Sequence, residues 1–140
     1  CWSTYMPIEP SVSGPIEILL VDDHPDVRRV LREMIETYED LILVGEAVNG
    51  EEAVLLAAKL KPTAVVMDVH LPVLSGVAAA TLIKMHHPFI AIIALTAGDP
   101  GQEEEAMTVA GAASVINKAD VLHALHPAII DALKLVKSPV

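Results

Sequence analysis

Five polar side chains stand where apolar runs stop. Asp22 and Asp23 follow residues 16–21, Asp68 closes residues 63–68, Thr96 follows residues 89–95, and Lys118 comes after residues 113–116 and Asn117. Carboxylates packed within about 5 Å repel by roughly 3 kcal/mol per pair at an effective dielectric near 20. Three of them together therefore call for a cation. An oxygen-rich, thiol-free donor set suits Mg2+, or Mn2+, with water filling several positions. Lys118 adds a fixed positive charge, and Thr96 a hydroxyl able to bind an anion. A carboxylate beside a cation, an ammonium and a hydroxyl is equipped to attack phosphorus while the charge developing on the phosphoryl oxygens is neutralised. Asp68 would be the nucleophile. A lone Asp at a strand end serves equally well as a turn cap, so the reading depends on whether the other four residues converge on it.

The elements that must bring them together are legible in the apolar pattern. Residues 63–68, Thr-Ala-Val-Val-Met-Asp, show no polar alternation and read as a strand buried on both faces. Residues 16–21, 41–48, 89–95 and 113–116 read the same way. Between them lie helical stretches. Pro25 suits a first helical turn, and Val27, Val30, Leu31, Met34, Ile35 and Tyr38 form one apolar stripe. Asn49-Gly50 turns into a helix over 51–60, and a third helix covers 77–85. Pro100 and Gly101 open a fourth, with Glu103, Glu104 and Glu105 at its positive end and Gly111 closing it. For the last helix two patterns fit equally, one starting at Val121 behind Asp120, the other a short turn and then a helix over 127–136, because Pro127 would interrupt a continuous one. Five strand–helix repeats give an α/β fold, simplest as parallel strands with right-handed crossovers and helices on both faces. In such a sheet all the strand ends lie along one edge, where ligands bind.

Composition narrows the function. A chain of 140 residues, 53% hydrophobic, holds one core, and with only 3% aromatic residues that core is Val, Ile, Leu and Ala. A net charge of -10 with nine Lys and Arg argues against gripping nucleic acid. The single cysteine, Cys1, excludes an internal disulfide and a Cys-based zinc site. No apolar run approaches the length of a membrane span and no export signal is visible, so a cytoplasmic location is expected. Residues 1–15, with Pro7, Pro10, Gly14 and Pro15, read as a flexible leader. The chain opens Cys-Trp-Ser-Thr-Tyr, which suggests that residues 1–5 are remnants of preparation or processing and that Met6 is the natural start. Neither Gly-x-x-x-x-Gly-Lys-Ser/Thr nor Gly-x-Gly-x-x-Gly occurs, which disfavours a nucleotide donor.

Five motifs occur in order: Leu-Val-Asp22-Asp23-His-Pro; Gly45-Glu-Ala-Val-Asn49-Gly50-Glu-Glu-Ala; Met67-Asp68-Val-His-Leu-Pro72-Val-Leu-Ser-Gly76; Leu95-Thr96-Ala97; and Gly111-Ala followed by Lys118. Over about residues 16–136 the chain resembles a CheY-like response-regulator receiver domain of bacterial two-component signalling. The first two motifs are similar to receivers attached to LuxR/NarL-type regulators. The resemblance implies a doubly wound (βα)5 flavodoxin-like fold with strand order 2-1-3-4-5. It makes residues 16–137 the receiver domain, with no output domain in this chain, and the protein a signalling switch, not an enzyme beyond phosphotransfer and self-dephosphorylation. It assigns Asp68 as acceptor of a phosphoryl group from a sensor histidine kinase or phosphotransfer protein. Asp23, Asp68 and the main-chain carbonyl of His70 would hold Mg2+, with Asp22 acting chiefly through a water. Thr96 and Lys118 would bind phosphoryl oxygens and report the modification. Homodimers through the first and last helices, or through the fourth helix, fifth strand and last helix, are compatible with the family.

The chain departs from the pattern in places. Receivers commonly carry an aromatic residue three positions before the lysine, whose rotation accompanies phosphorylation, and here Val115 stands there. Asn117 replaces the usual aliphatic residue, and Ala119 stands where many members have proline. His70 and Gly98 occupy positions that in the family tune the access of water to the acyl phosphate. His86, His87, His123 and His126 read as solvated surface. Two other functions compete with the switch: a receiver-like adaptor that needs no phosphate, which Val115 favours, and a Mg2+-dependent phosphohydrolase. The hydrolase would want an acid/base Asp two residues after the nucleophile, where His70 stands.

Overall fold

The computed structural model describes residues 14–98 and 101–135. Residues 1–13 of the expected leader, Pro100 at the head of the fourth helix, and residues 136–140 lie outside the described residues. Strand and helix alternate as β1 (Ile16–Val21), α1 (Pro25–Glu36), β2 (Leu41–Ala47), α2 (Gly50–Leu60), β3 (Ala64–Asp68), α3 (Gly76–His86), β4 (Ala91–Thr96), α4 (Gly101–Ala110), β5 (Ser114–Asn117) and α5 (Val121–Leu135). A short 3-10 turn, Lys118–Asp120, precedes α5. The strands form one parallel sheet in the order β2-β1-β3-β4-β5, the expected doubly wound arrangement.

Successive side chains of a strand point to opposite faces, so each apolar strand feeds two cores. Ile18, Leu20, Val66, Ile93 and Leu95 meet Leu31 and Ile35 of α1 and Leu125 and Ile129 of α5. Leu19, Val21, Val65, Met67 and Ile92 meet the other face, where α2 and α3 contribute mainly alanines (Ala53, Ala57, Ala79, Ala80) and α4 contributes Met107. Small residues let those helices approach the sheet closely. The loops at the strand ends are thereby pulled down onto one another.

Element boundaries differ from the expected ones by one or two residues, for local reasons. Asn49 caps α2 by accepting from the Glu52 N–H, while Glu52 Oε1 accepts from the N–H of Val48, which draws Val48 out of β2. Thr63 precedes β3 with its hydroxyl oxygen accepting from the Glu17 N–H. Phe89 is half exposed ahead of β4, because the Ile90 N–H turns back to the His87 carbonyl. The last helix, for which two patterns fit the sequence, follows the first of them: it starts at Val121 and runs unbroken through Pro127. Proline at that position removes the N–H that would reach the carbonyl of residue 123. Both Pro127 and His123 are exposed, so water can satisfy that carbonyl, and Leu125, Ile129 and Ala132 keep the buried face continuous.

Candidate functional site

Register does the assembly. Val21 pairs with Met67, so Asp22 and Asp68 emerge level from adjacent strands. Asp68 pairs with Leu95, placing Thr96 one residue beyond on the next strand, and Thr96 pairs with Asn117, placing Lys118 beyond that. Residues separated by up to 96 positions converge: Lys118 Nζ donates to Asp22 Oδ2 at 3.0 Å and to Asp68 Oδ2 at 2.9 Å. Asp22 and Thr96 are fully buried and Asp68 is 3% exposed. The loop backbones hold the remaining carboxylate oxygens. The His24 N–H donates to Asp22 Oδ1 and the His70 N–H to Asp68 Oδ1, each two residues along.

Burial opposes the charge on Lys118, but its hydrogen bonds to Asp68 and Asp22 and the field of both carboxylates outweigh that and hold its pKa above the ordinary lysine value. Three carboxylates still face one ammonium. Ligand atoms of Asp22, Asp23, His24 and Asp68 all lie within 4.8 Å of one another. Asp23 Oδ1 is buried without a hydrogen bond, although His24 Nδ1 is 3.2 Å away. Thr96 Oγ is likewise buried and unpartnered among the described residues. Unsatisfied buried oxygens cost stability unless a ligand uses them. An orphaned carboxylate oxygen among three aspartates fits a hard divalent cation, and an orphaned hydroxyl beside it fits an anion.

Two glycines are required for this packing. A Cβ on Gly76 would sit 2.6 Å from the carbonyl oxygens of Asp68 and Val69, so only glycine lets the start of α3 close under the Asp68 loop. A Cβ on Gly50 would lie 1.9 Å from the Leu74 carbonyl oxygen, so α2 and the β3–α3 loop could not meet. Val73 in that loop has a φ of +71°, with the Leu74 N–H donating to the Pro72 carbonyl across it. A β-branched residue in this region is strained, and such strain gathers near functional sites.

All five strand-end residues singled out in the sequence meet here, and several contacts around them were not foreseen. Arg28 donates to the main-chain carbonyl of Asp22 at 2.9 Å and is itself held by Glu46. A long cation in the first turn of α1, whose side chains lean toward the helix start, is the signal that points to it. Asn117 donates to the Gly98 carbonyl at 2.6 Å and accepts from the Ala119 N–H, clipping the lysine loop to the loop that follows Thr96. The replacement of an aliphatic by Asn marks that clip in the sequence. His70 pairs through Nε2 with Glu103 of α4, a contact without sequence signal. Val115 packs at the margin of the core beneath α2, α3 and α4. His126, expected to be solvated, is half-buried instead: it stacks on Tyr38 with centroids 4.2 Å apart and pairs with Asp40 at 2.9 Å.

The response regulator receiver domain model matches residues 18–130. The response regulator GacA of Pseudomonas protegens is 36% identical over 114 residues, covering 81% of this chain and 54% of GacA, so the chain spans about half the length of that relative. The response regulator domain of Thermotoga maritima CheB superposes with a TM-score of 0.81 at 30% identity, over 89% of this chain and 99% of that one. A LuxR-family two-component response regulator from Aurantimonas gives 0.82 at 30% identity over 90% of each chain. No helix among the described residues is long and apolar enough to cross a membrane.

Proposed function

We propose that this chain, which belongs to the response regulator receiver domain family, works as a signalling switch in which Asp68 accepts a phosphoryl group from a histidine kinase or phosphotransfer protein. The observation that carries the proposal is the buried Asp68 carboxylate paired to Lys118 beside a Thr96 hydroxyl that has no partner among the described residues. An oxygen of Asp68 attacks phosphorus as the bond to the donor's leaving nitrogen breaks. Lys118 exchanges its contact with Asp68 for a phosphoryl oxygen, and the Thr96 hydroxyl donates to another. Asp23, Asp68 and the main-chain carbonyl of His70 would hold Mg2+ (or Mn2+), with Asp22 acting chiefly through a water, and the ion would supply neutralisation of the phosphoryl charge.

Residues 16–137 are the receiver unit in this reading. Its state controls an output domain or partner, with transcription the output that a further relative, the transcriptional regulatory protein YdfI of Bacillus subtilis, suggests. The test is incubation with Mg2+ and acetyl phosphate, followed by mass spectrometry. One added phosphoryl group is expected, absent in Asp68→Asn. A second reading, a phosphorylation-independent interaction adaptor, is favoured by Val115 in place of the aromatic. A chain that takes no adduct yet binds its partner would establish it.

A further inference from the structure

Glu103 is the acid of α4's first turn that turns inward. Glu104 and Glu105 are exposed, as acids favoured only by the helix dipole would be. Glu103 instead pairs with His70 Nε2 through Oε2, and its other oxygen, Oε1, is buried without a hydrogen bond among the described residues. A carboxylate oxygen left in that condition costs stability, so packing energy does not explain the placement. The partner does. The N–H of His70 already holds Asp68 Oδ1, and its ring spans from the loop leaving β3 to the helix that follows β4. Those two strands deliver Asp68 and Thr96, and a phosphoryl group held by both would lie between their ends.

We infer that Glu103 is a positioning residue: it holds the His70 ring across this gap, and the bridge restricts the approach of water to the phosphoryl group on Asp68. The inference rests on the phospho-acceptor reading above. In the step it slows, a water oxygen bonds to phosphorus as the bond between phosphorus and the Asp68 oxygen breaks. The carboxylate is restored, and the water's proton leaves with the released phosphate or to solvent. Because one end of the bridge is on α4, the lifetime of the adduct and the position of α4 are tied together without an aromatic at Val115.

The experiment loads the whole chain with acetyl phosphate and Mg2+, removes the donor, and follows loss of the adduct by mass spectrometry. Glu103→Ala and His70→Ala are each expected to shorten its lifetime by up to about fivefold, the range of a partly exposed pair. The double variant should decay no faster than either single one, because both remove the same contact. His70→Gln, whose amide can still donate to Glu103, should recover lifetime relative to His70→Ala, and Glu104→Gln should match the parent. A general loosening of the loop would give additive effects and no recovery. If the parent loads and Glu103→Ala decays at the parent rate, or the effects add, the bridge is overturned and the phospho-acceptor reading stands. If the parent takes no adduct, that reading falls and the bridge with it.

Discussion

Lys118 at the carboxyl edge of the sheet and Lys84 at its amino edge both give up solvent, and the surroundings drive them in opposite directions. Lys84 Nζ donates to the carbonyls of Pro88 and Ile90 at 2.8 and 3.0 Å, and its stem covers Gly111. With no carboxylate there to repay it, burial lowers its pKa. Lys118 is buried as well, but two carboxylates reverse the balance. The same residue type closes a loop at one edge and serves as a counter-ion at the other. The amino edge is held by hydrogen bonds from an ammonium to neutral carbonyls, which any long cation could make, whereas the carboxyl edge stores negative charge that needs a cation.

The strongest way to break that contrast is Lys118→Met. Asp22 and Asp68 would then face each other, both buried, and stability should fall by about 3 kcal/mol. Urea denaturation measures the loss, and millimolar Mg2+ should restore part of it by binding only the folded chain. Equal stability with and without Lys118 would show that the carboxylates are not in conflict. The pH dependence carries the same sign. Because the folded pKa of Lys118 is raised, its contribution is fully present below the ordinary lysine value of 10.5 and is lost as pH rises through the folded value. Lys84 behaves inversely: its folded pKa is lowered, so its charge opposes folding below that value, and the penalty is relieved as pH climbs toward 10.5. The parent-minus-variant stability of Lys118→Met should therefore shrink on alkaline titration, and that of Lys84→Met should not.

Thr96→Val comes next. Removing a buried hydroxyl with no partner among the described residues while keeping the branched shape should leave stability unchanged or raise it by about 1 kcal/mol, while slowing phosphoryl uptake from acetyl phosphate. A clear loss of stability would mean that the hydroxyl is satisfied in the resting chain. Lys84→Met should have the smallest effect, under about 1 kcal/mol, and no effect on adduct formation.

Most of the fold is readable along the chain because its signals are local. Apolar runs without alternation mark strands buried on both faces, Pro25 and Asn49-Gly50 mark helix starts, and the repeated change of period implies crossovers. Pro127 left the last helix open between two patterns because its penalty is local whereas its remedy is not. Whether its orphan carbonyl finds water depends on which face of α5 the core covers. The five strand-end residues were also legible, since a parallel sheet brings all its carboxyl ends to one edge whatever the spacing between them.

What the chain dictates on its own is therefore an inventory: five strands, their polar tips, and a charge imbalance at one edge. Which tips become neighbours is a matter of register across strands distant in sequence, and that put Lys118 between Asp22 and Asp68. The contacts of Arg28 with the Asp22 carbonyl, of Asn117 with Gly98 and of His70 with Glu103 join separate loops. Their energies depend on distances that no local pattern encodes, because each appears only when two independently formed elements have docked on the same sheet.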